Sequence, residues 1–339
     1  MSDSLCLNSG SSISIMPFFK IILTSLFCFL FSHIAFADWT KQDSGTLAWF
    51  HSVYFVDNNN GWIVGSNGTL LATKDGGRTW ENEKTKSGDT FLDVYFSDTQ
   101  NGWILCERGV YGTGDAPPSY LMQTSNGGKD WTSINFAEGK ERMTRIFFSG
   151  EGIGFAIGEG GIIVQMQKDR KIWKRSPLPV RYLMLDGTFT DASNGMVVGG
   201  GGMILTTTDG GSTWNAPKFA ESRARTKLNA IYFVDRKTGW AAGSRGKIYS
   251  TNDGGKVWRD QATNVTADLF DIVFIDSALG FAAGDTGTIL RTTDAGASWK
   301  IEATGSKHKL ERVSFAGNRG FAVGFGGTIL TTELNREVK

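Results

Sequence analysis

Along the chain an apolar residue is followed five positions later by a phenylalanine, and then by a glycine with an aromatic residue or methionine beside it. The registers are Phe55/Gly61/Trp62, Phe96/Gly102/Trp103, Phe148/Gly154/Phe155, Phe189/Gly195/Met196, Phe233/Gly239/Trp240, Phe274/Gly280/Phe281 and Phe315/Gly320/Phe321, seven copies at a period near 42 residues. A period of this size marks a repeat architecture and overrides a domain count taken from length. The leading apolar residue (Phe50, Phe91, Met143, Met184, Leu228, Leu269 or Leu310) marks the innermost strand. A second strand reads Gly-aromatic-x-x-Gly, as in Gly61 to Gly65 or Gly239 to Gly243, and is apolar on both faces, as expected of a strand covered on both sides. The third, as in Thr69 to Thr73 and Thr288 to Thr292, runs into a glycine-rich turn ending in tryptophan, where the fourth begins. The pattern predicts an all-β fold, a seven-bladed β-propeller of four-stranded blades, over residues 38–339.

The turn tryptophans Trp80, Trp131, Trp173, Trp214, Trp258 and Trp299 number six, and the seventh repeat ends without one. Trp39 supplies it, because it precedes Phe55 by 16 residues, as Trp80 precedes Phe96 and Trp299 precedes Phe315. Asp38 to Gln42 is therefore expected to be the outer strand of the last blade, closing the ring and removing a long unpaired edge. The turns themselves, Thr73 to Trp80, Thr207 to Trp214, Thr251 to Trp258 and Thr292 to Trp299, resemble the Asp-box (BNR) turn of β-propellers. Asp75, Asp209, Asp253 and Asp294 are placed to accept backbone N–H bonds across the hairpin, with Asn126 in the same position of Thr124 to Trp131. A structural role is expected for these residues rather than a catalytic or calcium-binding one, because the third repeat keeps Trp173 but has Lys168 where the acid stands elsewhere.

Composition agrees with a turn-rich β architecture: 44 glycines and 11 tryptophans against 6 prolines. The net charge of +1 argues against a nucleic-acid binder. Residues 1–37 read as an export signal, with Lys20 before the apolar run Ile21 to Phe31 and a small-x-small site at Ala35-Phe36-Ala37; Met16 is an alternative start. Retention as an anchor is the other reading, and Cys28, preceded by Phe27, lacks the small neighbour of a lipid-attachment cysteine. Only Cys106 survives processing, so no internal disulfide is possible, and His51 and His308 alone cannot build a histidine zinc centre. No metal or cofactor is expected, and a monomer is.

In a four-stranded blade the connection to the next blade shares one face with the loop between the second and third strands, while the Asp-box turns lie on the other. Cations collect on the first face. Arg145 and Arg312 are expected to brace the channel mouth beside Asp93, Asp186 and Asp271. Arg142, Arg181, Arg223, Arg225 and Lys227, with Arg108 and Arg245, are candidates for recognising an acidic protein segment. The second repeat carries extra residues at Gly109 to Pro118, including Tyr111, a loop on the same face that is a further binding candidate.

Repeats of the form Phe-x-Asp-x-x-x-Gly-Trp-x-x-Gly, then Gly-x-Ile-Leu-x-Thr-x-Asp-Gly-Gly-x-Thr-Trp, resemble the photosystem II stability and assembly factor family over Asp38 to about Glu333, Phe55 to Trp80 and Phe274 to Trp299 being the closest copies. The resemblance implies a propeller without catalysis that holds a newly made membrane-protein subunit through an arginine-rich face, here Arg142, Arg181, Arg223 and Arg225. In a photosynthetic source it implies a reaction-centre subunit as partner and the thylakoid lumen as location; otherwise the periplasm and another client are expected. The lipid-attachment cysteine usual in cyanobacterial members is missing. The alternative is an Asp-box glycosidase, sialidase-like enzyme or glycan-binding module. The Arg-Ile-Pro signature of sialidases is absent, but Asp93, Asp186 and Asp271 could supply the two carboxylates of other glycosidases.

Overall fold

The computed structural model describes residues 39–109, 116–136, 140–167, 172–176, 178, 180–216 and 226–335, all within the compact unit Ala37–Lys339. The expected export signal lies outside them. Seven antiparallel sheets form blades 1 to 7. Blade 1 comprises Phe50–Phe55, Gly61–Gly65, Leu70–Thr73 and Glu81–Asn82, and blade 2 comprises Thr90–Phe96, Gly102–Glu107, Ser119–Thr124 and Thr132–Asn135. Blade 3 is Met143–Phe148, Gly154–Gly158, Ile163–Met166 and Trp173–Ser176; blade 4 is Met184–Phe189, Gly195–Gly199 and Ile204–Thr207. Blade 5 is Leu228–Phe233, Gly239–Gly243, Ile248–Thr251 and Arg259–Gln261, and blade 6 is Leu269–Phe274, Gly280–Gly284, Ile289–Thr292 and Lys300–Ile301. Blade 7 is Leu310–Ala316, Arg319–Gly324 and Thr328–Glu333, completed by Thr40–Gln42. First strands of consecutive blades adjoin one another around a full circle, blade 7 meeting blade 1.

Closure occurs as the tryptophan spacing predicts. Thr40, Lys41 and Gln42 pair with Thr331, Leu330 and Ile329. Trp39 is buried and packs edge-on against Phe315 of blade 7 and Phe281 of blade 6. Trp80 stands in the same relation to Phe55 of blade 1 and Phe321 of blade 7. Gln42 Nε2 also donates to the carbonyls of Gly77 and Arg78, at 3.0 and 2.9 Å, tying the closing strand to the Asp-box of blade 1.

Among the described residues the outer strand of blade 4 is represented by one bridge, Thr206 to Asn215, with backbone bonds of 2.8 and 2.9 Å.

The hydrophobic core is divided into layers between blades. Trp62, Val64 and Leu70 of blade 1 pack on Phe91, Phe96 and Ile104 of blade 2, and Trp62 stacks on Phe96 with ring centroids 3.5 Å apart. This explains why second strands such as Gly61–Gly65 and Gly239–Gly243 are buried at every position. Each unit presents both sheet faces to neighbours and cannot cover them alone. The Phe/Gly pairing has a steric cause: a Cβ on Gly61 would lie 2.4 Å from the Phe55 ring, so the aromatic can lie across the second strand only where no side chain stands.

Candidate functional site: the channel mouth

Each first strand carries a β-bulge at the residue after its leading apolar residue: the register shifts between Phe50 and Ser52 in blade 1, and at the equivalent place in the other six. A bulge re-aims the extra side chain. Here the bulged residues all line one funnel of about 260 Å³ at the mouth of the central channel. Leu92, Leu185 and Phe270 come from the even-numbered blades and are apolar; His51, Thr144, Asn229 and Glu311 come from the odd-numbered blades and are polar. Thr144 Oγ1 donates to the Met184 carbonyl at 2.7 Å and Asn229 Nδ2 to the Leu269 carbonyl at 2.7 Å, so these two also join neighbouring blades. The bulged set is absent from the sequence-based candidates, which jump from the residue before the bulge to the residue after it.

The residues after the bulge carry a network of ion pairs across the channel. Arg145 of blade 3 reaches carboxylates from three other blades: Nε lies 2.8 Å from Asp186 Oδ1 and 3.8 Å from Asp93 Oδ2, and Nη2 lies 4.0 Å from Asp271 Oδ1. Its guanidinium therefore sits across the channel. Arg312 Nη1 approaches Asp271 Oδ1 at 3.6 Å. Each aspartate also accepts a backbone N–H from the next blade, Ile146 on Asp93, Ile231 on Asp186 and Val313 on Asp271, at 3.1, 2.9 and 2.9 Å. These carboxylates thus satisfy innermost-strand amides that have no neighbouring strand. The expected bracing by Arg145 and Arg312 is present. Both oxygens of Asp93, Asp186 and Asp271 are engaged, Asp93 Oδ1 by Ser52 Oγ at 2.7 Å. These acids are structural bonds and not an open pair facing a sugar.

Three buried carboxylates face two guanidinium groups. Burial, opposed by Arg145, raises the Asp271 pKa to about 7 and also raises that of Asp93. Nearer the rim, burial and then Lys309 lower the His51 pKa to about 4, so His51 is neutral at neutral pH. Lys309 Nζ lies 2.8 Å from Glu311 and 4.0 Å from the Phe270 ring centroid, and Glu311 also accepts Trp49 Nε1 at 3.1 Å.

The cation candidates divide into two groups. Arg142 is paired with Glu107 at 2.6 Å while about half exposed. Arg108 donates to the Pro117 carbonyl at 2.5 Å and to Asn135 Oδ1 at 2.8 Å, with its guanidinium 4.1 Å from the Tyr120 ring, bracing the base of the long loop. Arg181, Lys227 and Arg245 have no ion pair or side-chain hydrogen bond among the described residues, and Arg181 and Arg245 are exposed. Arg245 is held at φ 58°, in the turn between second and third strands, by its N–H bond to Asp268 Oδ1 at 2.8 Å. Arg223, Arg225 and Tyr111 lie outside the described residues. Tyr182 and Leu183, beside Arg181, and Phe325 of blade 7 are exposed on the same face.

The opposite face carries the Asp-boxes, which are local locks. Asp75 Oδ1 accepts Thr73 Oγ1 at 2.8 Å and Thr79 N at 3.0 Å, and Oδ2 accepts Thr79 Oγ1 at 2.6 Å. Burial opposes ionisation of Asp75, but these bonds outweigh it and hold the carboxyl at about 2. In blade 2 the polarity reverses, Asn126 Nδ2 donating to Asp130 Oδ2 at 3.0 Å. Gly77 has φ 74°, and a Cβ there would stand 2.2 Å from the Phe321 ring of the neighbouring blade. Among the described residues no three His, Cys, Asp or Glu side chains are grouped to hold a metal ion.

Comparison with known proteins places this architecture. The family model described as photosynthesis system II assembly factor YCF48 matches residues 32–140, 165–262 and 257–336. The photosystem II assembly protein Ycf48 of Thermosynechococcus vestitus is 44% identical over 43 residues, which are 13% of this chain and 12% of that protein. The chloroplastic photosystem II stability/assembly factor HCF136 of Guillardia theta is 34% identical over 88 residues, 22% of each chain. The chain thus matches less than a quarter of the length of these curated relatives. Among solved structures, YCF48 bound to D1 peptide superposes with TM-score 0.71 at 22% identity, covering 89% of this chain and 98% of the other. YCF48 from Cyanidioschyzon merolae gives 0.72 at 21% identity, with 88% and 100% covered. Virginiamycin B lyase from Staphylococcus aureus gives 0.70 at 12% identity, covering 88% and 99%. Since an enzyme shares the fold, the likeness of shape speaks for fold alone. The sequence model spans most of the propeller, and the chain belongs to the photosystem II assembly factor YCF48 family.

Proposed function

We propose that this chain is a non-catalytic assembly factor, exported to a periplasm or thylakoid lumen with cleavage after Ala37, which holds an acidic segment of a newly made photosystem II reaction-centre subunit at its channel mouth. The observation that carries the reading is the set of cations Arg181, Lys227 and Arg245, without an ion-pair partner among the described residues, on the mouth face of a YCF48-family propeller. Arg142 adds to the patch, because an ion pair at a partly exposed site such as Arg142 with Glu107 contributes little and can exchange for a partner's carboxylate. Charge on such a face steers and orients a partner more than it tightens the complex, so binding is expected to weaken with salt. A relative solved with a D1 peptide supports a reaction-centre subunit as client. Two further relatives, from Prochlorococcus marinus and Synechocystis, are named photosystem II assembly lipoproteins, which supports an extracytoplasmic site of action.

The test is co-purification of photosystem II subunits from solubilised membranes by the wild type and by the double variant Arg181→Glu/Lys227→Glu. Retention by the wild type at low salt, loss in the variant and an unchanged melting temperature are expected. Equal retention by both proteins, at low and high salt alike, would contradict the reading.

A further inference from the structure

We propose that the funnel seats one large apolar side chain of the partner's acidic segment, with Leu92, Leu185 and Phe270 as its walls and Lys227 beside the flanking carboxylates. This rests on the channel mouth being the binding face. The first observation is the alternation of the bulged residues, which places an apolar side chain from each even-numbered blade around one small cavity. A purely electrostatic surface would have no use for that arrangement, since any polar residue can occupy a bulge. The second is that Arg145, paired with carboxylates from blades 2, 4 and 6, spans the channel, so a guest that entered from the mouth would meet this ion-pair layer before it could thread through.

The third observation is size. At about 260 Å³ the funnel falls below the ~300–1,000 Å³ of small-molecule sites and suits one side chain of a longer ligand. The fourth is charge. Lys227, Lys309 and Arg312 face the funnel against Glu311 alone, and Lys309 is already on Glu311 and Arg312 on Asp271. Lys227, with no ion pair among the described residues, is placed to meet a carboxylate next to the inserted side chain. Such an arrangement, an apolar anchor in a desolvated pocket surrounded by polar contacts, concentrates binding energy and fixes the register of the segment.

The experiment uses the purified propeller and three fluorescein-labelled decapeptides, read by fluorescence anisotropy. One has a central leucine flanked by four glutamates, the second has alanine at the centre, and the third keeps leucine but replaces the glutamates with glutamine. The leucine peptide is expected to bind about tenfold more tightly than the alanine peptide, the scale of burying one leucine side chain. In Leu185→Trp, which fills the funnel, the two acidic peptides should bind alike and remain salt-sensitive. Equal binding of the leucine and alanine peptides to the wild type, both tighter than the glutamine peptide, overturns the anchor and leaves the acid-binding face standing. Absence of binding by all three overturns the anchor and the acidic-segment reading together. The wild-type comparison decides the matter even if Leu185→Trp fails to fold.

Discussion

Asp271 concentrates the electrostatic tension of the channel. It is buried, accepts the Val313 N–H, and shares two guanidinium groups with Asp93 and Asp186. One carboxylate is in surplus, and burial raises the Asp271 pKa to about 7, above an unfolded value of ~3.9. A group whose pKa is raised on folding contributes stability that is complete below the unfolded value and is lost as pH rises through the folded one. The melting temperature should therefore fall between about pH 4 and pH 7 from this cause. Asp271→Asn keeps an oxygen for Val313 N–H and removes the surplus charge, so its melting temperature should change less over that interval. Parallel curves for variant and wild type would refute the assignment. The Asp-box acids act with the opposite sign. Asp75, held at about 2, contributes stability that is present above ~4 and disappears as pH falls through its folded value.

At the scale of the element, the turn tryptophan does more than end a strand. Trp214 of blade 4 meets Phe189 of its own blade and Phe155 of blade 3 edge-on, each at 6.2 Å. It is therefore a wedge between sheets. Trp214→Ala leaves a cavity at that seam and should cost roughly 3–5 kcal/mol. Urea unfolding should show an earlier midpoint with little change in slope, and an unmoved midpoint would deny the wedge its role. Tryptophans and glycines could be read from sequence because each has a steric job that few other residues can fill, as Gly61 under the Phe55 ring illustrates. The columns at Phe50 and Ser52 were likewise legible. The bulged column between them was not, because His51, Leu92, Thr144, Leu185, Asn229, Phe270 and Glu311 share no chemistry; what unites them is a backbone irregularity. The pairing of Arg142 with Glu107 depended on a connection of one blade meeting a strand end of the blade before it, which spacing alone does not specify.

The whole molecule combines a closed ring with two chemically different faces. Closure depends on Thr40–Gln42 completing blade 7 and on Trp39 filling the seam with blade 6. Deleting residues 38–44 should expose the edge of Thr328–Glu333 and open that seam, giving a protein that unfolds early or associates through the bare edge. A truncated monomer with the parent's melting temperature would show that closure is dispensable. The Asp-box face is locked by bonds within the described turns, whereas the mouth face carries the cations without partners among the described residues and the funnel, so a partner should be confined to the latter. Hydrogen–deuterium exchange of the propeller with and without a reconstituted reaction-centre subunit measures this directly. Protection restricted to the bulged residues and to the mouth loops around Arg181, Lys227 and Arg245 is the predicted result; protection centred on the Asp-box turns, with the mouth unchanged, would contradict it.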